Sequence, residues 1–428
     1  MPKLILSALL FMAFPWSASG LVRMAVVLGN NSGLPEDKTL SFATRDAEQV
    51  YATLLQLGGL DKGQGYLLLD PSVAKVRTVF RECRNRVRAL QATGEKVQLL
   101  IYFSGHGSDR ALHMEGEALP LDEIRSYFRE TEADLKVLIA DACYSGSLIQ
   151  SKGAVLSDPI PVRFLDDLKV NGSAILTSSS AGELSQESRD LQGSLFTHFF
   201  VSAIRGAADN DHDGQVTLWE AYNHTQYGMR RRLASRKQVA QTPEFDVNIK
   251  GSGNVVLSRL EMGQARLKLK GLPRGEYRIL EAVSALQVAE VTLSEPEGAV
   301  LALPRATYLI YHDEGKVGMA GHADLRRSAN VVLGPGDFSR VTAGTLASKG
   351  MIGPGTLSLL GRTPVMMSLQ PRLYTEFPGR NASALALEAS VQWNLKRWGL
   401  VGSGAILPPV WESARGNSLV QTGLGVSG

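Results

Sequence analysis

The chain of 428 residues is long enough for about two or three domains. Hydrophobic residues make up 44% of it and charged residues 20%, which excludes a chain that is disordered throughout. The 45 basic and 42 acidic residues leave a net charge of +3, so electrostatics give no argument for a nucleic-acid partner. Two cysteines, Cys83 and Cys143, are too few for a disulfide scaffold or a four-cysteine zinc site.

The first twenty residues have the pattern of a secretory signal peptide. Lys3 supplies a positive start, the apolar run 4–14 is too short to span a bilayer comfortably, and the small residues at 17–20 suit cleavage. An uncleaved anchor is the alternative. We expect residues 1–20 to be removed and the protein to be exported, whether periplasmic, associated with an outer membrane or secreted.

From residue 21 to about 250, short apolar runs alternate with amphipathic segments. Apolar residues at helical spacing predict the helices, and one of these stripes contains Cys83 as a small buried residue. Five apolar runs predict buried strands, at 24–28, 66–69, 97–103, 137–140 and 174–177. This pattern indicates a mainly parallel sheet covered on both faces, with its chemistry beyond the carboxyl ends of the strands.

Beyond residue 255 the helical pattern gives way to short alternating segments. Two similar peptides, which start at Leu272 and at Leu303, predict two small β-modules within 255–340. Residues 341–428 are rich in glycine, and 385–395 alternates apolar with small or polar residues, as in a strand of an outer-membrane barrel. We favour an ordinary antiparallel sheet with one solvated face, because a barrel would need a longer chain or partners. Any membrane contact is expected in this segment.

Two peptides with reactive side chains directly follow predicted strands. Ser-Gly-His106-Gly107 follows the strand at 97–103, and Asp141-Ala-Cys143-Tyr-Ser-Gly follows the strand at 137–140. Because the carboxyl ends of parallel strands meet at one edge of a sheet, we expect His106 and Cys143 to lie close together. A thiolate is a nucleophile, an imidazole can pass its proton to a leaving amine, and backbone N–H groups can stabilise an oxyanion. The motifs of serine hydrolases and zinc peptidases, G-x-S-x-G and H-E-x-x-H, do not occur.

These two peptides resemble the signature peptides of the caspase-like cysteine peptidases, among them the bacterial caspase-family proteins and the metacaspases. Asp141 stands where true caspases have glutamine, which points away from true caspases. The resemblance covers about residues 22–250. It implies a caspase-like three-layer α/β/α sandwich with a mainly parallel sheet over 21–252. It says nothing about 255–428, where the alternating pattern predicts β-rich C-terminal modules.

The resemblance also implies roles for individual residues. Cys143 would be the nucleophile and His106 the general acid and base, while the N–H groups of Gly107 and Cys143 would form the oxyanion hole. Asp141 and Asp46 would line the pocket for the residue before the cut, where two carboxylates would select Lys or Arg. The alternative for Asp46 is an acid at a helix start that favours the helix dipole. Such a site needs no organic cofactor, and its partners would be protein or peptide substrates.

Residues 147–172 predict a long exposed loop after the cysteine peptide, open to proteolysis. This loop contains Lys152, Arg163 and Lys169, which an acidic pocket would accept. We therefore expect the protein to cut itself after one of these residues.

Residues 209–220 match the EF-hand calcium loop, with Gly214 at its sixth position and predicted helices on both sides, at 195–208 and 218–233. The candidate ligands are Asp209, Asp211, Asp213, Gln215 through its carbonyl, Thr217 and Glu220. An acidic turn that caps the second helix is the alternative. Because no second loop is present to pair with this one, we expect a modest affinity for Ca²⁺.

Two other functions stay open at this point. One is a binding module on a catalytically silent peptidase fold, and the other is a protein that docks on a membrane or surface through its β-rich tail. The intact His106 and Cys143 favour an enzyme. We therefore expect an exported cysteine endopeptidase that cuts after Lys or Arg, processes itself and is modulated by calcium.

Overall fold

The structure is a computed structural model that describes residues 21–142, 172–178, 186–236, 241–248 and 255–342 without 295–296 and 314–316. Beyond residue 342 it describes the backbone of five strands. The predicted signal peptide lies outside the described residues. So do Cys143 and the three expected cleavage positions, Lys152, Arg163 and Lys169.

The strands and helices are numbered in chain order. The strands are β1 Leu21–Gly29, β2 Leu60–Leu69, β3 Lys96–Ser104, β4 Ala111–Met114, β5 Glu117–Pro120, β6 Leu135–Asp141, β7 Ser173–Thr177, β8 Glu187–Ser188, β9 Gly193–Ser194, β10 Gln215–Thr217, β11 Glu244–Asn248, β12 Val256–Arg259, β13 Ala265–Leu269, β14 Gly275–Glu281, β15 Gln287–Leu293, β16 Ala299–Leu303, β17 Thr307–Asp313, β18 Val317–Asp324, β19 Asn330–Leu333, β20 Phe338–Thr342, β21 Thr356–Leu357, β22 Val365–Tyr374, β23 Ala384–Trp393, β24 Val401–Ile406 and β25 Thr422–Ser427. The α-helices are α1 Ala43–Leu57, α2 Val73–Ala92, α3 Leu121–Glu130, α4 Leu195–Ser202 and α5 Leu218–Arg236, and a π-helix, Ala203–Ala207, continues α4.

Six strands form the central sheet, in the order β11-β7-β6-β3-β1-β2. All neighbours run parallel except the edge strand β11, which is antiparallel to β7. The five strands predicted from apolar runs are all present in this sheet, and the expected mainly parallel α/β fold is confirmed. The continuous apolar runs follow from burial on both faces of the sheet: in β3, every residue after Lys96 is buried.

Helices α2 and α3 cover one face of this sheet. Their buried side chains join one core cluster with alternate residues of β1 and β3, such as Val26 and Ile101. Phe80 of α2 stacks on Tyr127 of α3, with ring centroids 4.0 Å apart. Cys83 is fully buried in this layer, and burial raises the pKa of its thiol to about 11. Cys83 is therefore a protonated packing residue, as its helical spacing predicted.

A buried lysine outside helix α3 caps the carboxyl end of this helix. Lys136 lies near the start of β6, and its side chain is almost entirely buried. Its Nζ donates to the carbonyl oxygens of Phe128 at 2.7 Å, Arg129 at 3.4 Å and Thr131 at 2.9 Å. The last carbonyls of a helix have no partner within the helix, so one ammonium group satisfies several of them and opposes the negative end of the helix dipole.

We expect Lys136→Met to lower the free energy of unfolding by about 2–4 kcal/mol, because the buried carbonyls of α3 lose their donor. Urea unfolding, monitored by circular dichroism, measures this change. Lys75→Met removes an exposed lysine of α2 and is the matched control, with an expected effect within about 0.5 kcal/mol. Equal midpoints for the two variants would contradict the role of Lys136.

The chain divides into two compact units. The first contains residues 1–55, 59–185 and 239–253, and the second contains 56–58, 186–238 and 254–428. Helices α4 and α5 therefore group with the β-rich part of the chain, although we expected them to belong to the domain at 21–252. Within the second unit, α4 and the π-helix pack on β15 and β16.

Two sheets of the second unit share one hydrophobic core. Their strand orders are β16-β13-β19 and β15-β14-β17-β18-β20. The two copies of the sequence repeat, expected to mark two small modules, form neighbouring antiparallel strands, β14 and β17, and both contribute to this core. In each copy a tyrosine hydroxyl donates to a proline carbonyl four residues earlier: Tyr277 to Pro273 and Tyr308 to Pro304, both at 2.9 Å.

An arginine of α5 bonds this helix to the β-sandwich, which is the pair of sheets that share this core. Arg231 donates from Nη2 to Glu290 Oε1 at 2.5 Å and from Nη1 to Thr292 Oγ1 at 2.9 Å. Its Nη2 also lies 3.1 Å from Glu276 Oε2. Burial and the neighbouring Glu290 raise the pKa of Glu276 to about 7. Two carboxylates thus share one guanidinium within the second unit.

Beyond residue 342 the described backbone forms antiparallel pairs. Strand β22 pairs with β21 and β23, and β24 pairs with β25. The alternating segment 385–395 falls on β23, and its side chains lie outside the described residues. No helix in the described parts of the chain is both long enough and apolar enough to cross a membrane.

Candidate active site

The carboxyl ends of three parallel strands meet in one row. The register pairs Gly29 of β1 with Ser104 of β3, and Ser104 with Asp141 of β6. The amide of Gly105 then donates to the carbonyl of Asp141 at 3.1 Å. His106 and the peptide that leads to Cys143 therefore leave the sheet at the same edge, as the sequence predicted.

His106 has one ring nitrogen bonded to the backbone. Its Nε2 lies 2.7 Å from the carbonyl oxygen of Lys38. A carbonyl only accepts hydrogen bonds, so Nε2 carries the proton and, in the neutral ring, Nδ1 carries the lone pair. The half-buried imidazole is thus held with Nδ1 as its basic atom. Such a ring can take a proton from a thiol and return it to a leaving amine.

The loop that supplies the Lys38 carbonyl is held by a second histidine. His113 Nδ1 donates to Asp37 Oδ2 at 2.7 Å, and the Leu34 amide donates to the same oxygen at 2.7 Å. Burial opposes the charge of Asp37, but these two bonds and the nearby histidines lower its pKa below the ordinary value. The amide of His113 in turn donates to the carbonyl of His106 at 3.0 Å. A closed circuit thus runs from the His106 backbone through His113, Asp37 and Lys38 to the His106 ring.

Gly33 lets this loop lie directly against the histidine ring. Its φ of +69° is in the left-handed region. A Cβ at this position would lie 2.7 Å from His106 Cδ2 and 2.6 Å from Asp37 Oδ2. Any side chain here would therefore push the loop away from the ring.

The two acids predicted for the substrate pocket lie at the same edge of the sheet. Asp46 stands in the first turn of α1 and Asp141 at the end of β6, and each is 2% exposed. Ser104 Oγ donates to Asp46 Oδ2 at 3.3 Å, and Ser104 is also the register partner of Asp141. Ser104 therefore has the Asp46 carboxylate bonded to its hydroxyl and Asp141 as its neighbour on the adjacent strand. Asp46 also suits the helix dipole, so its two interpretations are compatible.

The sequence did not identify Asp37, the Lys38 carbonyl or His113 as parts of the site. A backbone carbonyl carries no residue-type signal, and Asp37 and His113 are far apart in the chain. Gly107, predicted for the oxyanion hole, follows His106 directly and forms an antiparallel bridge with Leu112. That bridge begins the turn that returns His113 to the histidine peptide.

The predicted calcium loop lies in the second unit, between the π-helix and α5. Ligand oxygens of Asp209, Asp211 and Asp213 lie within 4.8 Å of one another. The pKa of Asp209 is raised to about 6 by burial, with the neighbouring acids adding to the rise and the Gly214 amide opposing it. The structure does not bring Glu220 into this cluster: its Oε2 accepts from the amide and the hydroxyl of Thr217 at 2.9 and 2.8 Å. In this conformation Glu220 and Thr217 cap helix α5.

Comparison with known proteins assigns a family to this arrangement. A family model described as the caspase domain matches residues 22–250. A paracaspase of Dictyostelium discoideum is 26% identical over 201 residues, which is 45% of this chain and 46% of that relative. The chain thus matches about half the length of this curated relative.

A solved structure, caspase-1 from Spodoptera frugiperda, aligns with a TM-score of 0.41 at 15% identity, over 56% of this chain and 90% of that one. The matched family segment contains the central sheet except its first residue, Leu21, together with the His106 peptide, the position of Cys143 and the two buried acids. The chain therefore belongs to the caspase domain family, as its histidine and cysteine peptides predicted.

Proposed function

We propose that this protein is a cysteine endopeptidase that uses Cys143 and His106. The observation that supports it most directly is His106 at the sheet edge, with Nε2 bonded to Lys38 and Nδ1 left as the base, beside the strand that leads to Cys143. His106 would take the thiol proton, and the thiolate would attack the peptide carbonyl. Collapse of the tetrahedral intermediate would release the amine with that proton. Water, deprotonated by His106, would then hydrolyse the thioester.

We further propose that the residue before the scissile bond is Lys or Arg. Asp46 and Asp141 are both buried at the edge from which His106 projects: Asp46 accepts from the Ser104 hydroxyl, and Asp141 is the register partner of Ser104. A buried carboxylate is stabilised by a cationic partner and repels an anionic one. A pocket that contains these two acids would therefore discriminate by charge.

Fluorogenic peptides that end in Arg, Lys or Asp test this specificity. We expect kcat/KM for Arg and Lys to exceed that for Asp by roughly a thousandfold, because a like-charge contact costs several kcal/mol. Asp46→Asn with Asp141→Asn should abolish the preference, while Asp122→Asn, an exposed acid of α3, should preserve it. An unchanged preference in the double variant would refute the acidic pocket.

Alkylation of the cysteines tests the alternative of a catalytically silent binding module. An iodoacetamide reagent should label native protein once and Cys143→Ala not at all, since Cys83 is fully buried. Native protein that is neither labelled nor active would favour the binding module.

The circuit around His106 assigns Asp37 and His113 as positioning residues. We expect Asp37→Asn and His113→Gln each to lower kcat about 10- to 100-fold with little change in KM, because the Lys38 carbonyl then no longer fixes the ring. The double variant should be no slower than the slower single variant, since both changes break one circuit. Steady-state kinetics with melting temperatures as a folding check measures these effects.

The matched control for that series is the exposed pair Arg77 and Glu123, which are also 2.7 Å apart. Arg77→Gln with Glu123→Gln should leave kcat unchanged. A rise in KM with constant kcat in Asp37→Asn would argue against positioning of His106.

Two processing events are proposed from the sequence: removal of residues 1–20 on export, and self-cleavage after Lys152, Arg163 or Lys169. Intact mass and N-terminal sequencing of protein expressed with and without Cys143→Ala test both. We expect the cut near residue 20 in both samples and the internal cut only when Cys143 is present. An internal cut at the same rate in Cys143→Ala would exclude self-processing.

Two other expectations stay predictions. Calcium modulation of the activity is tested by the same peptide assay with calcium and with a chelator. Membrane contact of residues 341–428 is tested by carbonate extraction of the expressed protein.

A further inference from the structure

A buried carboxylate oxygen without a partner lies in the loop 209–220. Asp209 is 8% exposed, and its Oδ1 has no hydrogen-bond partner among the described residues. Its other oxygen, Oδ2, accepts a long bond of 3.3 Å from the Gly214 amide. Leaving a buried carboxylate oxygen without a donor is unfavourable, and two further carboxylates nearby make it more so. A cation among the three groups would remove both penalties.

The donor set fits a hard, oxygen-binding cation. Asp211 and Asp213 are exposed, so they are open to a solvated ion, whereas Asp209 forms the buried end of the cluster. Gly214 has φ of +80°, the left-handed conformation that the sharp turn of such a loop requires. Carboxylate and carbonyl oxygens at flexible spacing suit Ca²⁺ better than the smaller Mg²⁺, which demands near-octahedral geometry.

We propose that residues 209–220 bind one Ca²⁺ and that strand β12 of the same chain serves as the pairing partner of this loop. Asp209, Asp211 and Asp213 are its preformed ligands. The Gln215 carbonyl, Thr217 and Glu220 complete the shell.

The partner strand lies along the second half of the loop. Strand β10 pairs with β12, with Val216 opposite Ser258, and both residues are buried. The Leu260 amide donates to the Gly214 carbonyl at 2.8 Å, and Arg259 Nη1 donates to Gln215 Oε1 at 2.8 Å. The sequence offered no second calcium loop, and β12 fills that place at the entry to the β-sandwich.

A further bond extends this ladder to the first residue of helix α5. The amide of Leu218 donates to the Val255 carbonyl at 2.7 Å. The calcium loop, the start of α5 and the strand that leads into the sandwich are therefore joined by backbone hydrogen bonds. Calcium held by the loop would fix all three together.

Calcium binding would require Glu220 to change its partners. Its carboxylate caps α5 through Thr217 in the present conformation, and a bidentate calcium ligand must give up those bonds. Loading therefore exchanges a helix cap for a metal bond. Glu220→Gln keeps the capping acceptor but removes the charge, so we expect it to weaken calcium binding without weakening the apo fold.

Calorimetric titration of the full chain carrying Cys143→Ala tests the site, with CaCl₂ as the probe and MgCl₂ in parallel. We expect one site with a Kd of about 10⁻⁴–10⁻³ M, as in extracellular modules. Asp209→Asn with Asp213→Asn should weaken binding at least about tenfold. Glu261→Gln should not, because Glu261 lines the same groove as Asp209 but lies outside the loop. The background variant prevents self-cleavage, so the result is independent of peptidase activity.

Hydrogen exchange measured by mass spectrometry tests the pairing. Calcium should slow exchange in 214–218 and also in 255–260. No saturable binding, or equal affinity in the double variant, would overturn the site, and protection of the loop without 255–260 would overturn the role of β12. If the double variant does not fold, Asp211→Asn alone, an exposed position, should still weaken binding, and an unchanged affinity there would also overturn the site.

Discussion

The parallel register of β1, β3 and β6 is the constraint on which the candidate active site depends. It aligns Gly29, Ser104 and Asp141 in one row at the carboxyl edge of the sheet. A shift of one residue in β3 would turn the side chain of Ser104 to the opposite face and separate it from Asp46. The register is held because β3 is buried throughout after its first residue, so a slip would mismatch its side chains with the cores packed on both faces of the sheet.

The sheet brings the His106 peptide to its place, but loops orient the ring. A histidine between two glycines has little local packing, and its orientation must come from elsewhere. It comes from the Lys38 carbonyl, from the hydrogen bond of His113 to Asp37, and from the absence of a side chain at Gly33. The two bonds join the loop at 37–38 to the His106 ring and to His113 of strand β4, whose amide bonds back to the His106 carbonyl. Strand pairing thus sets the position of the His106 peptide, and the loop contacts set the orientation of its ring.

The second unit handles buried charge in two different ways. Between α5 and the β-sandwich, the carboxylates of Glu276 and Glu290 share the fixed guanidinium of Arg231. In the loop 209–220, three carboxylates gather, and among the described residues Asp209 Oδ1 has no donor. The first cluster is satisfied within the chain, whereas at the second we propose a cation. This difference distinguishes the two acidic clusters, which are equally visible in composition.

Local patterns in the sequence determined the buried strands, the helices, the two reactive peptides and the acidic loop 209–220. These features follow from periodicity and residue type within short windows of sequence. His106, Gly214 and Cys83 are examples of residues whose roles were predicted from their immediate neighbours. The sequence also carried the repeat of Tyr277 and Tyr308, but not the fact that its copies are adjacent strands of one sheet. Strand adjacency depends on non-local pairing, which periodicity does not encode.

Only the tertiary structure decided the partners that lie far apart in the chain. The bond from His113 to Asp37, the carbonyl of Lys38 against His106, and the pairing of β10 with β12 each join segments with no sequence pattern in common. A backbone carbonyl is the same in every residue, and a bond between two side chains forms only when folding brings the two groups within hydrogen-bond distance. Residue types therefore determined which chemistry is present, while packing and register decided which groups act together.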